Sequence, residues 1–211
     1  MTDYTIPCDV FARLTRVLAV ESTQPTDWFR SVRIDNGVAV ATNRIIMAVE
    51  NISADNVGII HIIADPALIA QCASEAPFKS VLTISVNETL KYAVGKTTLG
   101  YVHPRNCVVW SDEPNDFDRW RSVVDLARQP VTASRGGMYW NAENIANLAA
   151  SSPSGRLIFE EFIDCSGNRP TIIRDVNDYE WFGLFQPFGR NDLVGGAGSF
   201  NPATLPTWMN K

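Results

Sequence analysis

The side chains with the greatest potential for metal or thiol chemistry are four cysteines and two histidines. A structural zinc site uses clustered thiolates or imidazoles. No two of these cysteines form a CxxC pair, and each of the six residues is far from most of the others: Cys8, Cys72, Cys107, Cys165, His61 and His103. We therefore expect no metal site and no metal cofactor, and we expect reduced cysteines that serve in packing.

One pair is close enough in sequence to be a base and a nucleophile. His103 and Cys107 lie in the segment HPRNC, and a histidine beside a cysteine can activate the thiol. Pro104 disfavours a helix here, so the spacing of four residues does not place both side chains on one helical face. The sequence favours a loop histidine and a strand cysteine.

Acidic pairs provide the remaining enzymatic hypothesis, a hydrolase. Glu160 and Glu161 are adjacent in an apolar segment with strand character, and adjacent strand residues point to opposite faces. Asp175 and Asp178 flank a predicted turn, where Asp is common for backbone reasons. The sequence contains no G-x-S-x-G, no P-loop and no Gly-rich dinucleotide fingerprint. We therefore expect a protein that is not an enzyme and that needs no cofactor.

Composition and charge limit the class of protein. The chain has 211 residues, of which 45% are hydrophobic and 10% aromatic, and this composition predicts a folded protein. No apolar run approaches the roughly 20 residues of a transmembrane helix, and the N-terminus has no signal-peptide pattern. We expect a cytoplasmic protein without membrane contact. With 18 basic and 23 acidic residues, the net charge is −5, so nucleic acid would be bound only by a local basic patch.

The first half of the chain predicts a repeated order of elements. A strand at 3–8 precedes a helix at 10–20, with Asp9 as its N-cap, and Arg13 and Arg16 fall on the side away from the apolar stripe. The Asn36-Gly37 pair predicts a hairpin, and Asp65 with Pro66 predicts a helix start. The remaining predictions are strands at 29–35, 38–42, 45–52, 58–64, 80–86, 90–95 and 97–103, a helix at 66–75, and a turn around Gly95-Lys96. Residues 1–104 thus contain two copies of a strand-helix-strand-strand-strand unit, with a period of about 52 residues.

The second half contains a third, less regular copy. The predicted elements are a strand at 107–110, a helix at 116–128, a connector at 129–137, a strand at 138–141, a helix at 142–151, and strands at 156–164, 170–176 and 179–188. We therefore predict a first domain at 1–106, a second and incomplete domain at 107–190, and an irregular tail at 191–211 that is rich in Gly, Pro and Asn.

This order of elements resembles the DNA polymerase sliding clamps, which are ring-shaped processivity factors. The resemblance rests on four segments: CDVFARLTRVLAV with VRIDNGVAVATNRIIMAV, IIHIIADPALIAQCA, EPNDFDRW, and RPTIIRDVNDYEWFGLFQPF. It implies an α+β, DNA-clamp-like fold in which repeated β-α-β-β-β units form two domains with antiparallel sheets and helices on one face. The first two helices should lie side by side. The short chain is similar to a phage-encoded clamp, and two full domains would require a fourth unit.

The resemblance also implies a function. A clamp encircles duplex DNA without sequence specificity and tethers a DNA polymerase, with a clamp loader as a further partner. It would be a homo-oligomer, a trimer or a dimer, in the cytoplasm of a bacterial host cell. Such a pore needs cations that face phosphates, and the candidate DNA-binding residues are Arg13, Arg16, Lys79, Arg119, Arg121 and Arg128.

A partner-binding groove is implied at the end of the third unit. In the clamp family an apolar-Pro-apolar sequence closes the last strand and borders a groove for short peptides. The matching residues here are Leu184, Phe185, Pro187 and Phe188, and Phe188 is the best candidate for exposure. The alternative function is a phage or plasmid protein with a clamp fold that binds a replication partner, as an adaptor or decoy, without encircling DNA. The net charge and the sparse helix cations favour this alternative.

Overall fold

The computed structural model describes residues 1–18, 27–43, 45–103, 107–110, 120–128, 132–134, 142–159, 170–185 and 197–199. The chain divides into two compact units. Unit 1 comprises Met1–Asn43 and Val49–Asp112, and unit 2 comprises Arg44–Ala48 and Glu113–Lys211. This division falls after Asp112, whereas the sequence predicted a boundary after residue 106. Over the described part of the chain, no helix has the length and apolar character required to cross a membrane.

Unit 1 contains two successive β-α-β-β-β copies, as the sequence predicted. The first copy is β1 (Thr2–Pro7), α1 (Cys8–Leu14), β2 (Ser31–Asp35), β3 (Val38–Thr42) and β4 (Ile46–Asn51). The second is β5 (Ile59–Ile63), α2 (Pro66–Glu75), β6 (Val81–Asn87), β7 (Tyr92–Thr97) and β8 (Val102–His103). The boundary between the units runs through β4, whose residues 46–48 belong to unit 2.

The two copies exchange their first strands. One sheet of unit 1 has the order β1-β6-β7-β8, and the other strands follow the order β5-β2-β3-β4. β1 pairs antiparallel with β6 of the second copy, and β5 pairs antiparallel with β2 of the first copy. Each copy therefore completes the sheet of the other, and the pair forms one folding unit.

The core of unit 1 lies between its helices and its sheets. α1 buries Phe11 and Leu14, and α2 buries Leu68. In β6, Leu82, Ile84 and Val86 are buried while the residues that alternate with them are half-buried, which is the alternation of a sheet with one face on the core. α1 and α2 lie side by side, as the clamp resemblance implied.

The first helix begins earlier and ends earlier than its sequence predicted. α1 spans Cys8–Leu14 and a short 3₁₀ turn continues it to Val17, whereas the prediction was a helix at 10–20. The Cys8 N–H donates to the Ser80 carbonyl at 2.9 Å, so contact with the second copy fixes the start of α1. Asp9 lies inside the first turn and is not the N-cap.

The predicted turn around Gly95-Lys96 is wrong. Both residues lie within β7, and the chain turns after it, where Gly100 has a φ of +97°. A Cβ atom at Gly95 would lie 3.2 Å from Ile84 Cδ1. Glycine at this position therefore reflects close packing inside the sheet, which a local pattern cannot distinguish from a turn.

The segment predicted as a strand at 107–110 adds to the outer edge of β5. Val108 forms an isolated antiparallel bridge with Ile62. The Ile63 N–H donates to the Cys107 carbonyl at 2.8 Å and the Val109 N–H donates to the His61 carbonyl at 2.9 Å. These bonds hold the segment that follows the second copy against unit 1.

Unit 2 contains the helix of the predicted third copy and the three strands that follow it. Its elements are α3 (Trp120–Arg128), β9 (Thr132–Ser134), α4 (Ala142–Ser151), β10 (Leu157–Phe159), β11 (Thr171–Asp175), β12 (Trp181–Phe185) and β13 (Ala197–Ser199). β10, β11 and β12 form an antiparallel series after α4. In the sheet order the neighbour of β12 is β4, whose residues 46–48 belong to unit 2. The strand predicted at 138–141 lies outside the described residues.

The tail is not irregular throughout. β13 pairs antiparallel with β9, with Gly198 opposite Ala133. β9 itself lies in the segment that was predicted as a connector. Both short strands depend on a partner that is distant in the sequence, so neither has a local pattern that would identify it.

Candidate functional site

The exposed faces of the helices carry few cations. In α2 the exposed side chains include Ala67, Ala70 and Ala73, and neither α2 nor α4 contains a Lys or an Arg. The exposed charged residue of α4 is Glu143. These two helix surfaces therefore supply no positive charge for binding phosphate.

Arg13, the one basic residue within α1, is held by two carboxylates. Its two terminal nitrogens each donate to Glu50 at 3.0 Å, and Nη2 also donates to Asp9 at 3.3 Å. Burial acts to lower the pKa of Arg13, but Glu50 and Asp9 outweigh it and raise that pKa. One guanidinium faces two carboxylates, so the local charge is negative. A DNA-binding role for Arg13 stays a prediction, and its two carboxylate partners argue against it.

Arg16 and Lys79 have the exposure that the prediction requires. Arg16 is exposed in the 3₁₀ turn after α1. Lys79 is exposed in the turn after α2, with a φ of +54°, and its N–H donates to the Ala76 carbonyl at 3.0 Å. Both cations thus lie past the ends of helices and not on the helix faces.

The three candidate arginines near α3 are in different surroundings. Arg119 lies outside the described residues. The exposed guanidinium of Arg121 lies 4.4 Å from the centre of the Trp120 ring, a cation–π contact. Arg128 is half-exposed and its Nη1 lies 4.0 Å from Asp125 Oδ1. Seven residues separate Arg121 from Arg128, which is about two helical turns, so both lie toward one side of α3.

The predicted partner groove is only partly described. Leu184 is 2% exposed and Phe185 is fully buried. A Cβ atom at Gly183 would lie 2.9 Å from Leu148 Cδ2 of α4, so strand alternation places Phe185 on the α4 side and Leu184 on the opposite side. Both side chains are buried, which argues against their part in the predicted groove, and that part stays a prediction. Pro187 and Phe188 lie outside the described residues.

A buried carboxylate fixes the turn after α2. Glu75 is 3% exposed and accepts hydrogen bonds from Gln71 Nε2 and Ser80 Oγ at 2.6 Å each and from Thr97 Oγ1 at 2.8 Å. Burial acts to raise the pKa of Glu75, but these hydrogen bonds outweigh it and lower that pKa. Glu75 therefore remains an anion held by neutral donors, joining α2 to β6 and β7.

A second buried carboxylate fixes the turn after α4. Asp175 of β11 accepts from the Ser154 N–H at 2.7 Å and from Ser154 Oγ at 2.8 Å. It also accepts from the Asn177 N–H at 2.8 Å. Burial acts to raise the pKa of Asp175, and the hydrogen bonds lower it. The Asp175–Asp178 pair considered for hydrolysis is therefore a turn-stabilising arrangement.

The cysteines that the structure describes are buried thiols. Cys8, Cys72 and Cys107 are free and buried. Burial raises the pKa of Cys107 to about 11, so this thiol stays protonated at neutral pH and is not a nucleophile activated by His103. Cys72 donates a hydrogen bond to Cys8, which lowers the pKa of Cys8 and raises that of Cys72. No group of three or more potential metal ligands occurs among the described residues.

A buried polar row on β2 and β5 was not predicted from the sequence. Ser31 Oγ lies 3.3 Å from His61 Nδ1, and Arg33 Nη1 lies 3.4 Å from His61 Nε2. Arg33 can only donate, so Nε2 is the acceptor and the neutral ring donates from Nδ1 to Ser31. To act as a base toward Ser31, His61 Nδ1 would have to accept a hydrogen bond from Ser31 Oγ, whereas here it donates one. The row therefore orders the strands and does not form a catalytic pair.

The sequence matches no model of a known protein family, and it matches no curated protein. Solved structures do resemble the chain. A DNA polymerase sliding clamp from Pseudomonas aeruginosa is 9% identical with a TM-score of 0.55, covering 89% of this chain and 66% of that one. The DNA polymerase III β subunit from Thermotoga maritima is 10% identical with a TM-score of 0.58, covering 90% and 66%. A sliding clamp from Bartonella birtlesii bound to griselimycin is 14% identical with a TM-score of 0.56, covering 89% and 66%.

These likenesses establish the fold. The chain has the α+β sliding-clamp fold that the order of its elements predicted, at sequence identities too low to carry residues across by alignment. The chain spans about two thirds of the length of these clamps.

Proposed function

We propose that this chain is a non-enzymatic, sliding-clamp-like processivity factor that encircles duplex DNA and tethers a DNA polymerase. The observation that carries the proposal is the pair of strand-exchanged β-α-β-β-β copies in unit 1, with α1 and α2 side by side. Solved structures with this fold include DNA polymerase sliding clamps. A DNA-facing helix layer in such a ring contacts phosphates and reads no base sequence.

Further copies of the chain would complete the ring. In the described strands β8 pairs only with β7, so its other edge is a template for another strand. Val102 on this edge is 51% exposed. We assign the edge of β8 to contact with a second copy, giving a dimeric or trimeric ring. A clamp loader is the expected partner for opening it.

Tethering of the polymerase is assigned to the segment after β12. Leu184 and Phe185 are buried, so the candidate anchor is Phe188. Phe188→Ala should weaken binding of a polymerase-derived peptide by roughly 2 kcal/mol with little change in melting temperature. A variant that unfolds easily but binds normally while folded would place Phe188 in the core and remove this assignment.

The proposed ring is tested by its mass in solution. Light scattering coupled to size exclusion should give two or three times the chain mass of 23.3 kDa over a range of concentrations. A Val102→Lys variant should lower that mass, because it places a charge on the β8 edge. A single-chain mass for the wild-type protein at every concentration would contradict the ring.

A second function has support from one observation. Arg13 is neutralised by Glu50 and Asp9, and α2 and α4 carry no cation. An adaptor or decoy that binds a replication protein and not DNA has no need of helix cations. A protein that stays monomeric, shows no DNA binding at low salt and binds a polymerase or loader would establish this alternative.

A further inference from the structure

Exposed cations follow three of the helices. Arg16 comes after α1, Lys79 after α2 and Arg156 after α4, and all three side chains are exposed. Arg156 was not among the residues that the sequence predicted to bind DNA. Within the described residues no ion pair involves these three cations. The pattern contrasts with the helix faces, where the basic residue of α1 is neutralised and α2 and α4 have none.

In unit 1 two of these cations lie at opposite ends of the helix pair. The Cys8 N–H bond to the Ser80 carbonyl places the start of α1 beside the turn that follows α2. Because the two helices lie side by side, they run antiparallel. Arg16 therefore lies near the start of α2, and Lys79 lies near the start of α1. With ten residues in α2, the separation is about 15 Å or more.

The turns that carry Lys79 and Arg156 are each fixed by a buried carboxylate. Glu75 holds Ser80, the residue after Lys79, at 2.6 Å. Asp175 holds Ser154 at 2.7 Å, and Ser154 Oγ accepts from the Arg156 N–H at 3.2 Å. Glu75 lies on the helix α2, whereas Asp175 lies on the strand β11. Two different arrangements thus fix a turn after a helix that carries an exposed cation.

We infer that the phosphodiester backbone of duplex DNA is contacted at the helix ends, by Arg16 and Lys79 in unit 1 and by Arg156 in unit 2, and not along the faces of α1, α2 and α4. This inference rests on the proposed function. Between the two ends of the helix pair, α2 presents exposed alanines and α1 presents Arg13 already paired with Glu50 and Asp9. Few contacts of this kind give weak, strongly salt-dependent binding without sequence preference.

Stabilisation of the helices is the alternative role for the same cations. A cation near a helix C-terminus interacts favourably with the helix dipole. That role would appear in the free energy of unfolding and would leave DNA affinity unchanged.

The matched pair of variants is Lys79→Gln and Lys96→Gln. Lys96 is an exposed lysine in the same unit, and strand alternation places it on the β7 face opposite the buried Ala93 and Thr97. Arg16→Gln and Arg156→Gln complete the set. Affinity for a fluorescently labelled duplex of arbitrary sequence is measured by anisotropy from low to moderate salt. Urea unfolding of each variant reports stability.

Each helix-end variant should weaken DNA binding several-fold at low salt, and each should reduce the slope of log affinity against log salt by about 0.9. Lys96→Gln should leave both quantities unchanged. If wild-type protein binds and Lys79→Gln, Arg16→Gln and Arg156→Gln bind as well as Lys96→Gln, the placement at helix ends is wrong while the proposed function stands. If wild-type protein shows no binding at low salt, the proposed DNA function itself is overturned, and this inference falls with it.

Discussion

At the scale of single residues, exposure and partners decide what each charge does. Periodicity placed Arg13 and Arg16 together on the side away from the core, and both lie away from the apolar stripe. Their roles differ because Glu50, on β4, lies across from Arg13 and forms two hydrogen bonds with it. A partner 37 residues away leaves no trace in the local spacing, so the sequence could not distinguish a structural arginine from an exposed one.

Arg13→Ala should destabilise unit 1. It leaves the Glu50 carboxylate, which is 8% exposed, without its main partner, and such a loss should cost about 2–3 kcal/mol. Urea unfolding measures this cost. Arg16→Ala is the control and should stay within about 0.5 kcal/mol of wild type. An equal, small effect of both substitutions would show that the Arg13–Glu50 contact contributes little.

The two buried carboxylates predict a stability that falls in acid. The pKa of Glu75 and that of Asp175 are lowered in the folded state, so each carboxylate stabilises the fold above its unfolded pKa of about 4. This contribution is lost as pH falls through the lower folded values. Melting temperature should therefore decline below about pH 4.

Glu75→Gln and Asp175→Asn should be less stable at neutral pH and less sensitive to acid than wild type. Glu88→Gln, at an exposed position, is the control and should retain the wild-type profile. Acid profiles that are the same for all four proteins would rule out these two carboxylates as the source of the dependence.

At the scale of elements, the sequence predicted what is local and missed what depends on distant contacts. The order of strands and helices in unit 1 and the α2 boundaries at Pro66 and Glu75 followed from apolar periodicity and the Asp65 cap, whose carboxylate accepts from the Ala67 N–H at 2.9 Å. The start of α1, the position of Gly95 and the β9–β13 pairing depend on other parts of the chain. The same limit applied to the site, where local alternation could not decide which phenylalanines of FGLFQPF lie in the core, and the structure buries Phe185.

Two glycines provide a test of the hairpin between β2 and β3. Gly37 and Gly100 both have positive φ, at +87° and +97°, so alanine is strained at each by roughly 1–2 kcal/mol. A Cβ at Gly37 would also lie 2.9 Å from the Ser53 carbonyl oxygen, whereas nothing lies within 4 Å at Gly100. Gly37→Ala should therefore lower the free energy of unfolding by clearly more than Gly100→Ala. Equal losses in the free energy of unfolding would mean that the 52–58 loop moves away from the added Cβ at little cost.

At the scale of the whole molecule, a fold of repeated copies is combined with helices that carry few cations. The fold is that of sliding clamps, yet the chain carries a net charge of −5 and spans about two thirds of the length of those clamps. A ring can retain DNA through its topology when its individual contacts are weak. Topology is therefore the property that separates encirclement from ordinary surface binding.

Run-off from DNA ends distinguishes encirclement of DNA from binding at the protein surface. The protein is allowed to thread onto a linear duplex with biotin at both ends, streptavidin is then added to block the ends, and dissociation is followed after dilution at moderate salt. We predict long retention on the blocked duplex and rapid loss from the same duplex with open ends. Equal rates of loss from blocked and open duplexes would contradict encirclement and favour the adaptor function.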